Sequence, residues 1–231
     1  MNGTDRVKIH RIDGNRIELI EDVLVVEQDV SLEVNGEVLI RTTCSPGGLR
    51  EWALGVLFCE GRISREEDVR RLGEDDGFVT VELHAAVHAS PRPIASDLVV
   101  KRDRLEKLAA EVVERAKVFH ATGGTHAMGV ADGSGIRTLV EDISRTCALE
   151  KAIGEAVLTG VDFRRSIALL SSRVPSRMVR KLARCGIPIV AAVSAPTAEA
   201  VDLAEELDIC LCGFVRCDRM NVYSHGWRIG L

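Results

Sequence analysis

Three short apolar runs in the second half of the chain decide the fold: Ile167-Ala-Leu-Leu170, Ile189-Val-Ala-Ala-Val193 and Ile209-Cys-Leu-Cys-Gly-Phe-Val215. Each run is continuous rather than alternating, which is typical of strands buried on both faces of a sheet. Segments with the apolar spacing of helices lie between the runs, at Met178–Ala183 and Val201–Leu207. Strands that alternate with helices predict an α/β domain in which helices cover both faces of the sheet.

The first part of the chain has a different pattern, which predicts a small β-rich domain. Residues Ser31–Ile40 alternate apolar and polar on both sides of Asn35-Gly36, a dipeptide that favours the tight turn of a hairpin. Phe78–Leu83 alternates as well and predicts another strand. We place the domain change near residue 118, which gives a β-rich domain with helices over residues 1–118 and an αβα domain over residues 119–231.

Helices are also predicted within the first domain. One helix follows Pro46, which suits a first helical turn. Ser64 with Glu67 three residues later resembles a capping box and predicts a short helix. Apolar residues at helical spacing predict a longer helix from Leu105 to Val118, with Asp103 as its N-cap.

The charge balance bears on the class of partner. The 231 residues include 30 Lys and Arg against 35 Asp and Glu, which gives a net charge of −5. A chain with this balance has no general attraction for nucleic acid or an anionic membrane, so any anion must be held by a local cluster of donors. No apolar run approaches the roughly 18 residues of a membrane span, and Met1–His10 lacks the apolar core of a signal peptide. We therefore expect a cytoplasmic protein that spans no membrane.

The cysteine pattern gives no sign of a disulfide framework or a metal site. The chain has seven cysteines, an odd number, without a C-x-x-C pair. His84 and His88 have a spacing that binds metals on a helix, but Ala89-Ser-Pro-Arg-Pro93 predicts a loop there. We expect no metal, and we expect Cys210 and Cys212, two apart on a strand, to lie in the core.

Polar segments at the predicted strand ends indicate an anion site, because ligands of α/β sheets gather at the carboxyl ends of the strands. Each segment brings small residues, hydroxyls or a cation next to a helix start, and backbone amides with Arg bind phosphate in this way. The alternative is that the arginines pair with Glu141, Asp142 and Asp218. His126 follows two glycines, and its imidazole either contacts a ligand or is structural. The segments are Thr122–His126, Glu141–Arg145, Ser171–Arg173, Ser194–Thr197 and Phe214–Arg219.

The same segments resemble the formate dehydrogenase accessory protein family, FdhD, in order and over nearly the whole chain. The matching stretches are Leu54-Gly-Val-Leu57 with Glu60-Gly61, Thr122-Gly-Gly-Thr-His-Ala127, Glu141-Asp142 with Arg145, Ala148 and Lys151-Ala-Ile-Gly154, Ser172-Arg173, Met178-Val179, Gly186-Ile-Pro188, Ala192-Val-Ser-Ala-Pro-Thr197, Ala204-Glu205, Gly213-Phe-Val-Arg216 and Asn221-Val-Tyr223.

The resemblance implies a fold, a function and partners. It implies a small N-terminal domain, a three-layer αβα domain of the cytidine-deaminase-like kind, and a homodimer. Members of the family take sulfur from a cysteine desulfurase as a persulfide and deliver it to the bis-guanine-dinucleotide molybdenum cofactor of a molybdenum- or tungsten-dependent formate dehydrogenase. The family's contact segment for that guanine-nucleotide-like cargo matches Phe214, Val215, Arg216, Cys217, Asp218 and Arg219, to which the strand-end pattern adds His126, Arg145 and Arg173.

Two departures from the family pattern bear on sulfur transfer. The family's sulfur-carrying C-x-x-C loop corresponds to His84–Pro93, which contains no cysteine, although a persulfide needs a thiolate. Ser144-Arg-Thr-Cys147 stands where Gly-Arg-His-Asn is usual. The thiol candidates are Cys147, whose pKa a helix N-terminus and Arg145 are expected to lower, and Cys217.

Three functions therefore remain open from the sequence. The chain is a sulfurtransferase whose thiol has moved, a cofactor-binding chaperone without sulfur transfer, or a separate nucleotide-binding enzyme. Deaminase chemistry is excluded, because the H-x-E and P-C-x-x-C motifs that hold and use its zinc are missing.

Overall fold

The computed structural model describes residues 3–85 and 89–231, which form three β-sheets with helices packed around the two larger ones. The strands are β1 Thr4–Asp13, β2 Arg16–Val25, β3 Gln28–Val34, β4 Glu37–Cys44, β5 Val69–Asp75, β6 Phe78–Leu83, β7 His126–Asp132, β8 Gly135–Asp142, β9 Ile167–Leu170, β10 Ile189–Ala192, β11 Cys210–Arg216 and β12 Arg219–Ser224. The helices are α1 Leu49–Cys59, α2 Arg102–Glu114, α3 Lys117–Thr122, α4 Arg145–Leu158, α5 Ser176–Cys185 and α6 Ala198–Glu206. No helix in these residues is long and apolar enough to cross a membrane.

The three apolar runs form the centre of a six-stranded sheet, which confirms the α/β prediction. The strand order is β12-β11-β10-β9-β7-β8, and β9, β10 and β11 run parallel. All four residues of β9 and of β10 are buried, because helices cover both faces. One face packs against α4, α5 and α6, and the other packs against α2.

The N-terminal sheet has the order β4-β3-β6-β5, and α1 covers one of its faces. The predicted hairpin joins β3 to β4, with Asn35 at φ 52° and Gly36 at φ 86° in its turn. Trp52 and Leu57 of α1 are fully buried against Leu32 and other side chains of the sheet. The predicted strand at residues 78–83 is β6.

The strands β1 and β2 form a separate antiparallel hairpin that the sequence patterns did not single out. It pairs in register from Thr4–Val25 to Asp13–Arg16 and hydrogen-bonds to no further strand. Its tip leaves Ile12 and Ile17 about two-thirds exposed, at 70% and 67%. Because β1 and β2 pair only with each other in the described residues, alternation of apolar and polar residues along them does not mark a buried face.

Helices α1 and α4 cross at a contact that only glycine permits, and this contact joins the N-terminal sheet to the six-stranded sheet. A Cβ atom on Gly55 would lie 1.7 Å from the carbonyl oxygen of Glu150, and one on Gly154 would lie 1.8 Å from that of Glu51. The two backbones therefore touch directly. As a result α4 is buried both by α1 and by the sheet, and its residues 147–154 are all buried.

Four predictions about helix ends are wrong. Pro46 does not lie in the first turn of α1, because that helix begins at Leu49. The helix predicted for Leu105–Val118 is two helices, α2 and α3, which break near Arg115. Lys101 rather than Asp103 occupies the N-cap of α2. The predicted capping box with Glu67 is a single 3-10 turn in which the amide and hydroxyl of Ser64 donate to Asp68 instead.

The boundary predicted near residue 118 cuts between α2 and the sheet that α2 covers. Leu105, Leu108 and Val112 of α2 are buried against the second face of the six-stranded sheet. The division into residues 1–118 and 119–231 stays a prediction about folding units.

Candidate functional site

The predicted polar segments lie along one edge of the six-stranded sheet. Strands β9, β10 and β11 end there, followed by residues 171–174, 193–197 and the turn after Arg216. Strand β8 also ends there, because it is antiparallel to β7 and β7 is antiparallel to β9. Thr122–Thr125 was expected to follow a strand; it precedes β7 instead, and the reversed direction of β7 brings it to the same edge.

We call this edge the carboxyl rim; it comprises residues 122–127, 141–147, 171–174, 193–197 and 214–219. Backbone hydrogen bonds connect its segments in sequence across the sheet. The amide of Ser171 donates to the carbonyl of Ala127 over 3.0 Å, and the amide of Val193 donates to that of Leu170 over 2.8 Å. The amide of Phe214 donates to the carbonyl of Ser194 over 3.3 Å. The five segments therefore form one continuous surface.

The rim is long enough for an extended ligand. Three strand spacings separate β7 from β11, which is about 14 Å at about 4.8 Å each. A single phosphate occupies only part of that length. The spacing suits a ligand with several phosphates or with a base attached to them.

The four arginines of the rim have no acidic partner among the described residues. Arg145, Arg173, Arg216 and Arg219 form no ion pair in residues 3–85 and 89–231. The alternative, that they pair with Glu141, Asp142 and Asp218, is therefore wrong. The cations are available to an anion.

Two of the three acidic residues that could have neutralised the rim make contacts elsewhere. Glu141 accepts from the amides of Val118 and Phe119 over 2.9 and 2.7 Å, so it caps the start of α3. Asp142 is fully buried and pairs with the ammonium of Lys151 over 2.7 Å. Both carboxylates stabilise the backbone that shapes the rim, and neither reduces the charge of its arginines.

His126 lies half-buried at the start of β7, close to two of these cations. Burial lowers the pKa of its imidazole, and the guanidinium groups of Arg145 and Arg173 lower that pKa further. The three side chains therefore belong to one electropositive cluster. Because its pKa lies below the usual 6.5, His126 is neutral at pH 7 and offers one N–H donor and one acceptor.

The segment Phe214–Arg219 forms the tip of the β11–β12 hairpin at the other end of the rim. Phe214 has φ 53°, and the register shifts between Gly213 and Arg216, so the backbone bulges outward. Arg216 donates to the carbonyl of Val193 over 2.8 Å. The guanidinium of Arg219 lies 6.0 Å from the centre of the Phe214 ring. The tip thus presents two cations and a ring face together, which suits a phosphate with an attached base.

The N-terminal part of the chain also contributes to the rim, which the sequence did not suggest. The amide of Ser45 donates to Asp142 over 3.2 Å, and its carbonyl accepts from Lys151 over 2.7 Å. The amide of Ile143 donates to the Ser45 hydroxyl over 3.1 Å. The turn Ser45–Gly48 is thereby fixed beside Arg145. Pro46 lies in this turn and precedes α1, where we had expected it in the first helical turn.

The expected pKa shift of Cys147 is wrong. Its side chain is 2% exposed, and the hydrogen bond with the Cys44 thiol, together with burial, raises its pKa. A raised pKa and a buried sulfur remove both reasons for proposing Cys147 as a nucleophile. The prediction that Cys210 and Cys212 lie in the core is confirmed, since both are fully buried.

Cys217 is the exposed cysteine of the described residues, and it lies in the hairpin turn between Arg216 and Asp218. It borders a groove of about 500 Å³ whose other wall is α2, lined by Asp103, Glu106, Lys107, Ala110, Glu111 and Glu114. His84 is exposed, as expected for a loop, and His88 lies outside the described residues.

Comparisons with known proteins show which family the chain resembles over its length. The model of the FdhD/NarQ family matches residues 25–92 and 73–230. The sulfur carrier protein FdhD of Methanothermobacter thermautotrophicus is 33% identical, with 96% of this chain and 97% of that protein covered. The protein of the same name from Shouchella clausii is 32% identical over 97% of this chain and 96% of its own length.

A solved structure has the same fold. The crystal structure from Desulfotalea psychrophila described as a formate dehydrogenase accessory protein superposes with a TM-score of 0.86. The superposition covers 98% of this chain and 99% of the other, at 23% sequence identity.

Proposed function

The chain belongs to the FdhD/NarQ family, and from that membership we propose that it is a sulfur carrier and accessory protein that matures a formate dehydrogenase. It holds the bis-guanine-dinucleotide molybdenum cofactor at the carboxyl rim as cargo and delivers sulfur to it. The donor is a cysteine desulfurase, and the client enzyme uses molybdenum or tungsten. The protein acts as a homodimer in the cytoplasm, as the family resemblance implies.

The observation that carries the binding proposal is the set of rim arginines that pair with no carboxylate in residues 3–85 and 89–231. Arg145 and Arg173 lie beside His126 at one end of the rim, and Arg216 and Arg219 lie at the other. Guanidinium groups bind phosphate oxygens in a fork, and each such charge-assisted bond contributes about 1.5–3 kcal/mol. A pyrophosphate flanked by a guanine nucleoside fits both the charge of the rim and its length of about 14 Å.

Sulfur transfer is assigned to Cys217. A persulfide forms only where a donor's sulfur reaches a thiol, and Cys217 is exposed while the other six cysteines are buried. It lies next to Arg216 and within the proposed cofactor segment. Sulfur carried there needs to move only a short distance to reach a cofactor on the rim.

A second function is favoured by a separate observation. His84–Pro93 contains no cysteine, and Cys147, the other candidate thiol, is buried with a raised pKa. These facts support a chaperone that holds the cofactor and leaves sulfur transfer to another protein. The two functions share the rim and differ only at Cys217.

Incubation with a cysteine desulfurase and radiolabelled cysteine separates the two functions. If the chain transfers sulfur, the native chain becomes labelled and a thiol reductant removes the label. The Cys217→Ala variant should carry no label, whereas the Cys147→Ala variant should still carry it. An unlabelled chain that still binds guanosine diphosphate contradicts transfer and leaves the chaperone. A chain that binds neither the label nor the nucleotide contradicts both.

A further inference from the structure

The six buried cysteines of the described chain lie in three pairs. The Sγ atoms of Cys59 and Cys185 are 3.8 Å apart, and those of Cys210 and Cys212 are also 3.8 Å apart. The thiols of Cys44 and Cys147 are neighbours that shift each other's pKa in opposite directions. Two of the three pairs connect the N-terminal sheet or its helix α1 to a helix of the six-stranded sheet.

The pair Cys59–Cys185 lies where two helices end together. Cys59 is the last residue of α1, and Cys185 is the last residue of α5. Ion pairs hold these ends in place: Lys181 and Arg184 of α5 contact the Glu60 carboxylate at 2.5 and 3.1 Å. Arg184 also donates to the carbonyl of Cys59 over 3.2 Å. The thiols therefore remain adjacent without depending on their own weak contact.

We propose that Cys59 and Cys185 are a site of reversible oxidation, at which an intramolecular disulfide locks α1 to α5. A disulfide needs an S–S distance of about 2.05 Å, so the sulfurs must approach by about 1.7 Å. The flanking ion pairs already fix the helix ends, so the approach of the sulfurs has to come from the two side chains. The inference concerns the joint between the two sheets and does not depend on sulfur delivery.

The Sγ atoms of Cys210 and Cys212 are equally far apart, but we expect no disulfide between them. Both residues lie on β11, two positions apart on the same face of the strand. Their Cα atoms are about 6.6 Å apart at about 3.3 Å per residue, near the upper limit for a disulfide, and their side chains point in parallel. A bridge would close a strained ring inside a paired strand. This pair is therefore the internal control.

The chemistry is a thiol–disulfide exchange with a small dithiol reagent in its oxidised, cyclic form. The contact with Cys185 and burial raise the pKa of Cys59, and Cys185 is only 6% exposed, so the exchange is slow and is followed to equilibrium. The sulfur of Cys185, the more exposed of the two, attacks the reagent and opens its S–S bond. The sulfur of Cys59 then attacks Cys185 and releases the reagent as a dithiol that carries both protons. The protein loses two electrons and two protons, and the reagent gains them.

The bridge would fix a second element at the same place. The amide of Ala89 donates to the carbonyl of Gly61 over 2.9 Å, two residues after Cys59. A Cβ on Gly61 would come within 2.4 Å of the Ala89 oxygen, so the backbones are in close contact. Oxidation would therefore cross-link α1 to α5 two residues before the contact between Gly61 and Ala89.

The full-length chain is equilibrated anaerobically in mixtures of oxidised and reduced dithiothreitol, alkylated under denaturing conditions and digested for mass spectrometry. We expect a peptide that joins Cys59 to Cys185 and lacks two hydrogens, at mixtures where Cys210 and Cys212 are still fully alkylated. The bridge closes a loop across 126 residues, so the Tm of the oxidised chain should rise by about 10 °C.

The Cys185→Ala variant should lose the rise in Tm, and Cys212→Ala should keep it. If Cys59 and Cys185 stay alkylated in the most oxidising mixture, or bridge to other cysteines first, the proposal is overturned. The mapping on the native chain decides this even if a variant fails to fold.

Discussion

Two clusters of charged side chains in this molecule differ in whether their charges are paired. At the joint of α1, α4 and α5, Glu150 pairs with Lys181 over 3.0 Å and accepts from the indole of Trp52 over 3.0 Å. At the carboxyl rim, Arg173 and Arg216 meet no carboxylate among the described residues. Buried charges must be paired to be tolerated, whereas exposed cations clustered without partners are available to a ligand.

From this difference we infer that the paired charges of the joint stabilise the fold and that the cations of the rim bind a ligand. A substitution at the joint should therefore reduce the free energy of unfolding, and a substitution at the rim should reduce affinity for an anion.

Replacement of Lys181 by Met should destabilise the fold by about 3–5 kcal/mol, because it leaves the buried Glu150 carboxylate without its cation. Urea unfolding followed by circular dichroism measures the change. The matched control is Arg145→Met, which removes a cation of the rim and should change stability by less than about 0.5 kcal/mol. If both variants lose the same free energy of unfolding, the joint and the rim do not differ in this way.

Replacement of both Arg216 and Arg219 by Ala should weaken guanosine diphosphate binding at least about tenfold, since each charge-assisted bond contributes about 1.5–3 kcal/mol. Isothermal titration calorimetry measures the affinity. The control removes the same charge away from the rim, as Arg11→Ala with Arg71→Ala, and should leave the affinity within about twofold apart from a general charge effect. Unchanged affinity in the rim variant would exclude the hairpin tip from the site.

The smallest expected effect is on the pH dependence of binding. The pKa of His126 is lowered in the free protein, so protonation of its imidazole opposes folding. The stability contributed by the neutral imidazole is lost as the pH falls through that lowered pKa. A bound phosphate raises this pKa, so binding takes up a proton and should strengthen on the order of threefold between pH 7.5 and pH 6. The His126→Gln variant should retain only the ligand's own pH dependence; an identical profile in both proteins would place His126 outside the site.

The sequence predicted the parts of this molecule that follow from local pattern. Continuous apolar runs gave β9, β10 and β11, and Asn35-Gly36 gave the β3–β4 hairpin. The arginines of the rim were predicted because cations that follow strands recur at several strand ends. A strand shows the same apolar pattern whichever way it runs in a sheet, however. The reversed direction of β7 could therefore not be predicted from the sequence.

The parts that could not be predicted depend on contacts between distant residues. The hydrogen bond from Ser45 to Asp142 joins residues 97 positions apart, and no local signal marks it. Cys147 begins a helix near Arg145, a position that suits a reactive thiol. Its burial follows from the Gly55 and Gly154 crossing, which places α1 on the side of α4 away from the sheet.

The same reasoning limits what the missing C-x-x-C loop implies. His84–Pro93 has no thiol and the six other cysteines are buried, so the proposed sulfur transfer depends on Cys217. The cations of the rim are arginines. A chain without this thiol would therefore keep the charge that we propose binds the cofactor.

Hydrogen–deuterium exchange of the full chain with and without guanosine diphosphate tests the division most directly. The account predicts slower amide exchange at residues 122–127, 193–197 and 214–219, and unchanged exchange where α1 crosses α4. Protection confined to the crossing, or no protection along the rim at saturating nucleotide, would contradict it.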